Sequence, residues 1–134
     1  MSKSAATRAR PLSPHLQIYK PIPTMVMSIV HRITGVGLYF GILLVAAWLL
    51  AAATSEDWFN TVSAIYGSWI GRLILFAYTW ALIHHMLGGI RHLVMDTGKA
   101  LGKQSSTTVA TAMPFVSIGL TLLLWVVGYF ARGA

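Results

Sequence analysis

The sequence contains no cysteine, and it has only three aspartate and glutamate residues among its 134 residues. Without cysteine the chain can form neither a disulfide nor a cysteine-ligated iron–sulfur cluster, so any redox cofactor must use other ligands, and histidine is the first candidate. Charged residues make up only 10% of the chain, whereas hydrophobic residues make up 56% and the mean hydropathy is +0.68. This composition excludes an ordinary soluble domain and indicates an integral membrane protein.

Long apolar runs predict three membrane-spanning segments, at about residues 26–53, 68–94 and 111–130. Each run exceeds the roughly 20 residues that a helix needs to cross a bilayer. Lipid cannot satisfy bare backbone amides, and the runs lack the two-residue alternation of barrel strands, so the segments must be helices. We therefore predict an all-α fold, with a single membrane-anchor domain over residues 1–134 built as a three-helix bundle.

The segments outside these runs are predicted to be irregular. Residues 1–24 are expected to lie in the cytoplasm or on the inner membrane face, because prolines interrupt any single helix there: Pro11, Pro14, Pro21 and Pro23. Gly98, Gly102 and residues 104–108 are expected to form the inner loop between the second and third helices.

The distribution of charge predicts the orientation of the bundle. Basic residues precede the first helix and lie between the second and third, whereas the loop after the first helix carries Glu56 and Asp57. The positive-inside rule then places the N-terminus in the cytoplasm and the C-terminus in the periplasm, with Arg72 and Arg132 as exceptions on the outer side. The net charge of +7 is explained by this topology and by lipid headgroups, and nothing indicates nucleic-acid binding. Aromatic residues at the outer edge form an interfacial belt: Trp58, Phe59, Tyr66, Trp69, Trp125, Tyr129 and Phe130.

The second predicted helix carries a histidine with small residues on both sides. Gly88, Gly89, His92 and Asp96 follow His85 at helical spacing, and Ala81 precedes it by one turn. A flat ligand such as haem could lie in this slot, because iron accepts a neutral imidazole as axial ligand. Close packing of helices through small residues is the alternative interpretation.

A second set of polar residues lies near the start of the first predicted helix. Ser28, His31, Arg32 and Gly35 share one face. Arginine offers forked donors to carboxylates and serine can donate to a carbonyl, so this face could bind an acidic or carbonyl-bearing ligand. Alternatively, Arg32 only extends to the lipid headgroups. Helix rise predicts that His31 lies nearer the cytoplasm than His85. The two are then poorly placed to hold one iron from opposite sides, so a second axial ligand would come from another chain.

Three motifs occur in order along the chain. They are Arg10-Pro11-Leu12-Ser13-Pro14-His15-Leu16 with Ile18-Tyr19, Ser28-x-x-His31-Arg32-x-Thr34-Gly35, and His85-x-x-x-Gly89-Ile90-Arg91-His92-Leu93-x-Met95-Asp96-x-Gly98. With these motifs the chain resembles the larger cytochrome b membrane-anchor subunit of succinate dehydrogenase, the succinate:quinone oxidoreductase of respiratory complex II. The resemblance covers nearly the whole chain.

The resemblance implies a role for each polar residue. His85 would be an axial ligand of one haem b, with the other axial histidine supplied by the smaller anchor subunit. Ser28 and Arg32 would border the ubiquinone site, and His31 and Arg32 would lie near the haem propionates. The family spacing to Gly89 and Arg91 selects His85 over the adjacent His84 as the iron ligand. His92, Arg91 and Asp96 are expected to be structural or near the propionates, and His15 to contact the iron–sulfur subunit.

The implied function is electron delivery without succinate chemistry in this chain. A flavoprotein subunit would oxidise succinate, an iron–sulfur subunit would carry the electrons, and this chain would help to form the quinone-reduction site in a bacterial inner membrane, which is favoured over a mitochondrial one. One alternative is the anchor of a fumarate reductase or another membrane cytochrome b. A second is a proton or ion pathway through His84, His85, His92 and Asp96.

Overall fold

The computed structural model describes residues 19–133, which form four helices and no strand. The helices are α1 (Pro23–Thr54), α2 (Glu56–Gly67), α3 (Trp69–Asp96) and α4 (Lys103–Gly133). Over this part of the chain, α1, α3 and α4 are the helices long and apolar enough to cross a membrane. The prediction of an all-α protein with three spans is confirmed.

Two predicted irregular segments are helical instead. The loop expected after the first span is α2, in which half-buried residues recur at positions i, i+3, i+4 and i+7: Phe59, Val62, Ser63 and Tyr66. Residues 104–108, expected in the inner loop, belong to the first turns of α4, which begins at Lys103. The inner loop is therefore confined to residues 97–102. Neither segment was recognised from the sequence, because both are partly polar and lie outside the long apolar runs that identified the spans.

Local sequence explains where the first helices begin and end. Pro23 stands in the first turn of α1, where its missing N–H would have no partner anyway. α1 ends at Thr54, and the backbone of the following Ser55 is extended. The Ser55 hydroxyl then accepts a hydrogen bond from the backbone N–H of Trp58 at 3.2 Å and caps α2, whose first turn carries Glu56 and Asp57. One serine thus separates two helices.

The short helix α2 folds back beside α1. The Tyr66 hydroxyl donates to the carbonyl oxygen of Leu44 at 2.7 Å. Leu44 lies ten residues before the end of α1 at Thr54, which is about 15 Å along a helix. α3 starts three residues after Tyr66, at Trp69, and runs antiparallel to α1, with Tyr78 against Gly41.

The interior of the bundle is built from small and polar side chains. Fully or nearly fully buried positions include Thr34, His84, Ser117 and Thr121, whereas most large aliphatic and aromatic residues are exposed on the outside. This inversion of the soluble pattern is expected in lipid, where apolar surface needs no shielding and helices associate through close contact and hydrogen bonds. Helices α1 and α3 each contact the other three helices and form the centre of the bundle.

Candidate functional site

Two histidines meet at the contact between α1 and α3. The rings of His31 and His85 are stacked, with centroids 3.9 Å apart and an interplanar angle of 7°. Each ring lies over a glycine of the opposite helix. A Cβ at Gly35 would stand 2.9 Å from Cε1 of His85, and a Cβ at Gly88 would collide with the ring of His31. The two glycines therefore create the space that the two imidazoles occupy.

The His85 ring is oriented by the main chain of α1. Its Nδ1 lies 3.0 Å from the carbonyl oxygen of His31 and 3.3 Å from the hydroxyl oxygen of the buried Thr34. Because a carbonyl oxygen can only accept, Nδ1 carries the hydrogen and donates. The lone pair of a neutral His85 is therefore on Nε2, and the ring is only partly buried. Histidines that ligate metals are held in this way, with the second ring nitrogen donating to an oxygen.

The neighbouring His84 faces the other side of the helix. Its side chain is fully buried, and its Nδ1 lies 3.1 Å from the hydroxyl oxygen of Ser117 on α4. The Ser117 hydroxyl donates its own hydrogen to the carbonyl oxygen of Pro114 at 2.9 Å, so Nδ1 of His84 is the donor in the pair. Nε2 of His84 is enclosed without a hydrogen-bond partner among residues 19–133. A ligand outside the bundle cannot reach it.

The rings of His31 and His85 touch although the two residues lie at different levels of the bundle. His31 is opposite Gly88, whereas His85 is opposite Gly35. His31 therefore lies about one turn nearer the start of α1, in the predicted order, although the ring centroids are only 3.9 Å apart. Stacked face to face, the two rings leave no space for an iron between them.

The predicted slot beside His85 is only half open. Gly88 is buried beneath the His31 ring, so this chain itself fills that side. A Cβ at Gly89 would meet nothing within 4 Å, which leaves that side accessible. Gly88 therefore allows the two helices to pack closely, whereas Gly89 leaves space beside His85 for a flat ligand.

The other predicted site residues surround the histidine pair or lie further along the helices. Ser28 is half-buried, and Arg32 is exposed on the outside of α1. His92 is exposed, and its ring edge approaches His31 with centroids 5.5 Å apart. Arg91 donates to the Ser106 hydroxyl at 3.0 Å and so joins the end of α3 to the start of α4, while Asp96 is exposed at the last residue of α3. His15 lies outside the described residues.

Sequence reasoning missed the polar partners that orient the two adjacent histidines. Thr34 was noticed only as a motif residue, and Ser117 and Pro114 were not considered. A proline inside an apolar span, followed three residues later by a serine, was the available signal, because the serine hydroxyl can bond the carbonyl three residues back. Nothing local in the sequence pairs that serine with His84.

These features define a class: a three-span helical membrane protein with an oriented, partly exposed imidazole at the contact of two spans. Residues 6–128 match the family model described as succinate dehydrogenase/fumarate reductase transmembrane subunit. The chain belongs to this family, as the resemblance in its motifs indicated.

Individual relatives agree with the family assignment. The chain is 41% identical over 118 residues to the succinate dehydrogenase cytochrome b556 subunit of Paracoccus denitrificans, covering 88% of this chain and 91% of the relative. It is 35% identical over 117 residues to the cytochrome b556 subunit of Rickettsia prowazekii, covering 87% and 91%. It is also 36% identical over 123 residues to the mitochondrial cytochrome b560 subunit of Bos taurus, covering 87% and 73%. Each of these relatives is named as a cytochrome b subunit of succinate dehydrogenase.

Proposed function

We propose that this chain binds one haem b through Nε2 of His85 and helps to form the ubiquinone-reduction site of a succinate:quinone oxidoreductase. The hydrogen bond from Nδ1 of His85 to the His31 carbonyl carries the proposal, because it fixes the tautomer and leaves Nε2 on a partly exposed ring. When bound, haem b supplies a one-electron carrier.

The second axial ligand is proposed to come from the smaller anchor subunit. His31 is stacked against His85 and cannot approach the same iron from the opposite side. His84 faces α4, with its free nitrogen enclosed. Around the site, α1 and α3 present an exposed apolar surface that is available for a partner helix. This surface includes four side chains that are about half-exposed or more: Ile29, Ile33, Met86 and Ile90.

Charged and polar groups of α1 would bind the polar parts of the ligands. Arg32, exposed beside His31, offers forked donors that suit a haem propionate or a quinone that gains negative charge on reduction. His31 would donate through Nε2, since its Nδ1 is enclosed over Gly88. The half-buried Ser28, one turn before His31, would donate to a quinone carbonyl.

The complete enzyme would include the flavoprotein and iron–sulfur subunits at the cytoplasmic face of a bacterial inner membrane. Its bacterial relatives from Paracoccus and Rickettsia support this location. The chain would bring electrons to quinone and would not bind succinate. The proton-relay alternative gains no support, since no hydrogen bond among residues 19–133 joins His84, His85, His92 and Asp96 to one another.

Haem content of the purified four-subunit complex tests the iron ligand. We expect His85→Ala to abolish the reduced haem absorption, and the exposed His92→Ala to retain it as the matched control. Co-purification of the other subunits must be measured in parallel, because a lost subunit would also remove haem. Haem that persists in His85→Ala but disappears in His84→Ala would show that His84 is the iron ligand and would overturn the proposal.

Two activities measured on the same complex test the quinone site. Ser28→Ala and Arg32→Gln are expected to lower succinate:ubiquinone reductase activity by about tenfold or more, the effect of losing one charge-assisted or well-placed hydrogen bond. Succinate oxidation by a soluble dye should be unchanged. Leu43→Ala, at an exposed position further along α1, is the control. Equal loss of both activities would indicate an assembly defect and contradict the assignment.

A further inference from the structure

A cavity of about 500 Å³ opens at the end of the bundle that carries α2. All four helices contribute to its wall. Gly41 and Tyr78, which are in contact, lie at its inner end, while Arg72 in the first turn of α3 and Arg132 in the last turn of α4 lie at its outer end. A volume of this size is typical of small-molecule sites, which range from about 300 to 1,000 Å³. No histidine is among its lining residues.

The charge of the cavity lining has one sign. Two arginines line it, and no aspartate or glutamate does. Arg72 and Arg132 are the residues that the positive-inside rule leaves unexplained, because both lie on the outer side of the predicted topology. The fold brings these two exceptions, from separate helices, to the same cavity. A pair of guanidinium groups suits a phosphate, which accepts bidentate hydrogen bonds.

The remaining lining residues indicate an amphiphilic ligand at the membrane interface. Trp48, Tyr66, Trp125 and Tyr129 line the cavity, and amphipathic aromatic residues are enriched at the level of lipid headgroups. The lining surface is otherwise largely apolar. The hydroxyl of Ser63 lines the same wall and is buried without a hydrogen-bond partner among residues 19–133, so it is free to donate to an ester carbonyl.

We propose that this cavity binds an anionic phospholipid of the outer leaflet. The phosphate would lie between Arg72 and Arg132, with the ester region at Ser63 and the upper part of the acyl chains in the apolar wall formed by α1 and α3. A neutral quinone would not account for two arginines in a lining that contains no carboxylate. The same holds for an apolar helix of another subunit.

Lipid retained by the purified complex tests the proposal. We would reconstitute the four-subunit complex in nanodiscs of phosphatidylglycerol and phosphatidylcholine, extract it with detergent and quantify bound lipid by mass spectrometry. Wild type should retain phosphatidylglycerol in preference. Arg72→Gln with Arg132→Gln should lower that retention about tenfold, whereas Lys99→Gln with Lys103→Gln, the same charge change at the other end of the bundle, should leave it unaltered.

A cavity-filling variant separates a specific site from general surface charge. A Cβ at Gly67, in the cavity lining, meets nothing within 4 Å, so Gly67→Phe should fill space without disturbing the backbone while both arginines stay. We expect a similar loss of phosphatidylglycerol. Unchanged retention in the arginine variant or in Gly67→Phe would overturn the proposal. Equal retention of phosphatidylcholine, or photo-crosslinking from Leu75 to another subunit in place of lipid, would overturn it as well.

Discussion

At the scale of single residues, the site depends on what faces each imidazole. His84 and His85 are adjacent and chemically identical, and helical geometry alone predicts that they point about 100° apart. The sequence could not tell which neighbouring helix each would face. The structure places His85 against the carbonyl of His31 and Thr34, and His84 against Ser117. Contacts between distant segments therefore decide which histidine is presented to a ligand.

The glycine beneath His85 provides a sharp prediction at this scale. In Gly35→Ala the new methyl group would stand 2.9 Å from Cε1 of His85, so the ring must shift away from its hydrogen bond. We expect a reduced haem content or a displaced haem midpoint potential in the purified complex. The matched control is Gly37→Ala, whose Cβ meets nothing within 4 Å. Wild-type haem content and potential in Gly35→Ala would show that the contact does not orient a ligand.

At the scale of helices, composition predicted the three spans but not how they are placed against one another. The apolar runs were long enough to identify α1, α3 and α4 from the sequence. The register between α1 and α3, which brings His85 against Gly35, was not predicted. Nor was α2, a helix of 12 residues that was read as a loop. Its N-cap at Ser55 can be found in the sequence, whereas the bond that joins it to α1, from Tyr66 to Leu44, cannot.

The corner between α2 and α3 should depend on Gly71. A Cβ at this buried position would collide with the carbonyl oxygens of Ile65 and Tyr66, which cannot move without opening the corner. We expect Gly71→Ala to lower the free energy of unfolding by about 1–3 kcal/mol, the usual cost of overpacking, and so to lower the melting temperature of the complex. Gly67→Ala, four residues earlier and without neighbours within 4 Å, should have no such effect. Thermal melting of both variants would check this, and equal melting temperatures would contradict it.

At the scale of the whole molecule, a polar interior and an apolar exterior have different consequences. The hydroxyl of Thr34 joins α1 to His85 of α3, and Ser117 joins α4 to His84 of α3, whereas the exterior is available to lipid and to other subunits. Composition predicted this apolar exterior, since so few charges occur in the spans. The residues that form the interior could not be predicted, because membrane helices have little apolar periodicity when both lipid and partners are apolar.

The absence of cysteine makes the orientation of the whole chain directly testable. A single introduced cysteine is the only thiol in this subunit, so labelling of this polypeptide by a membrane-impermeant maleimide reports one position. Because basic residues favour the cytoplasmic side, we expect Lys99→Cys, between α3 and α4, to be labelled only in inverted vesicles. Glu56→Cys, at the start of α2, should be labelled only in right-side-out vesicles. The reverse pattern would place the N-terminus outside and Arg72 and Arg132 in the cytoplasmic leaflet, where the positive-inside rule alone would account for them.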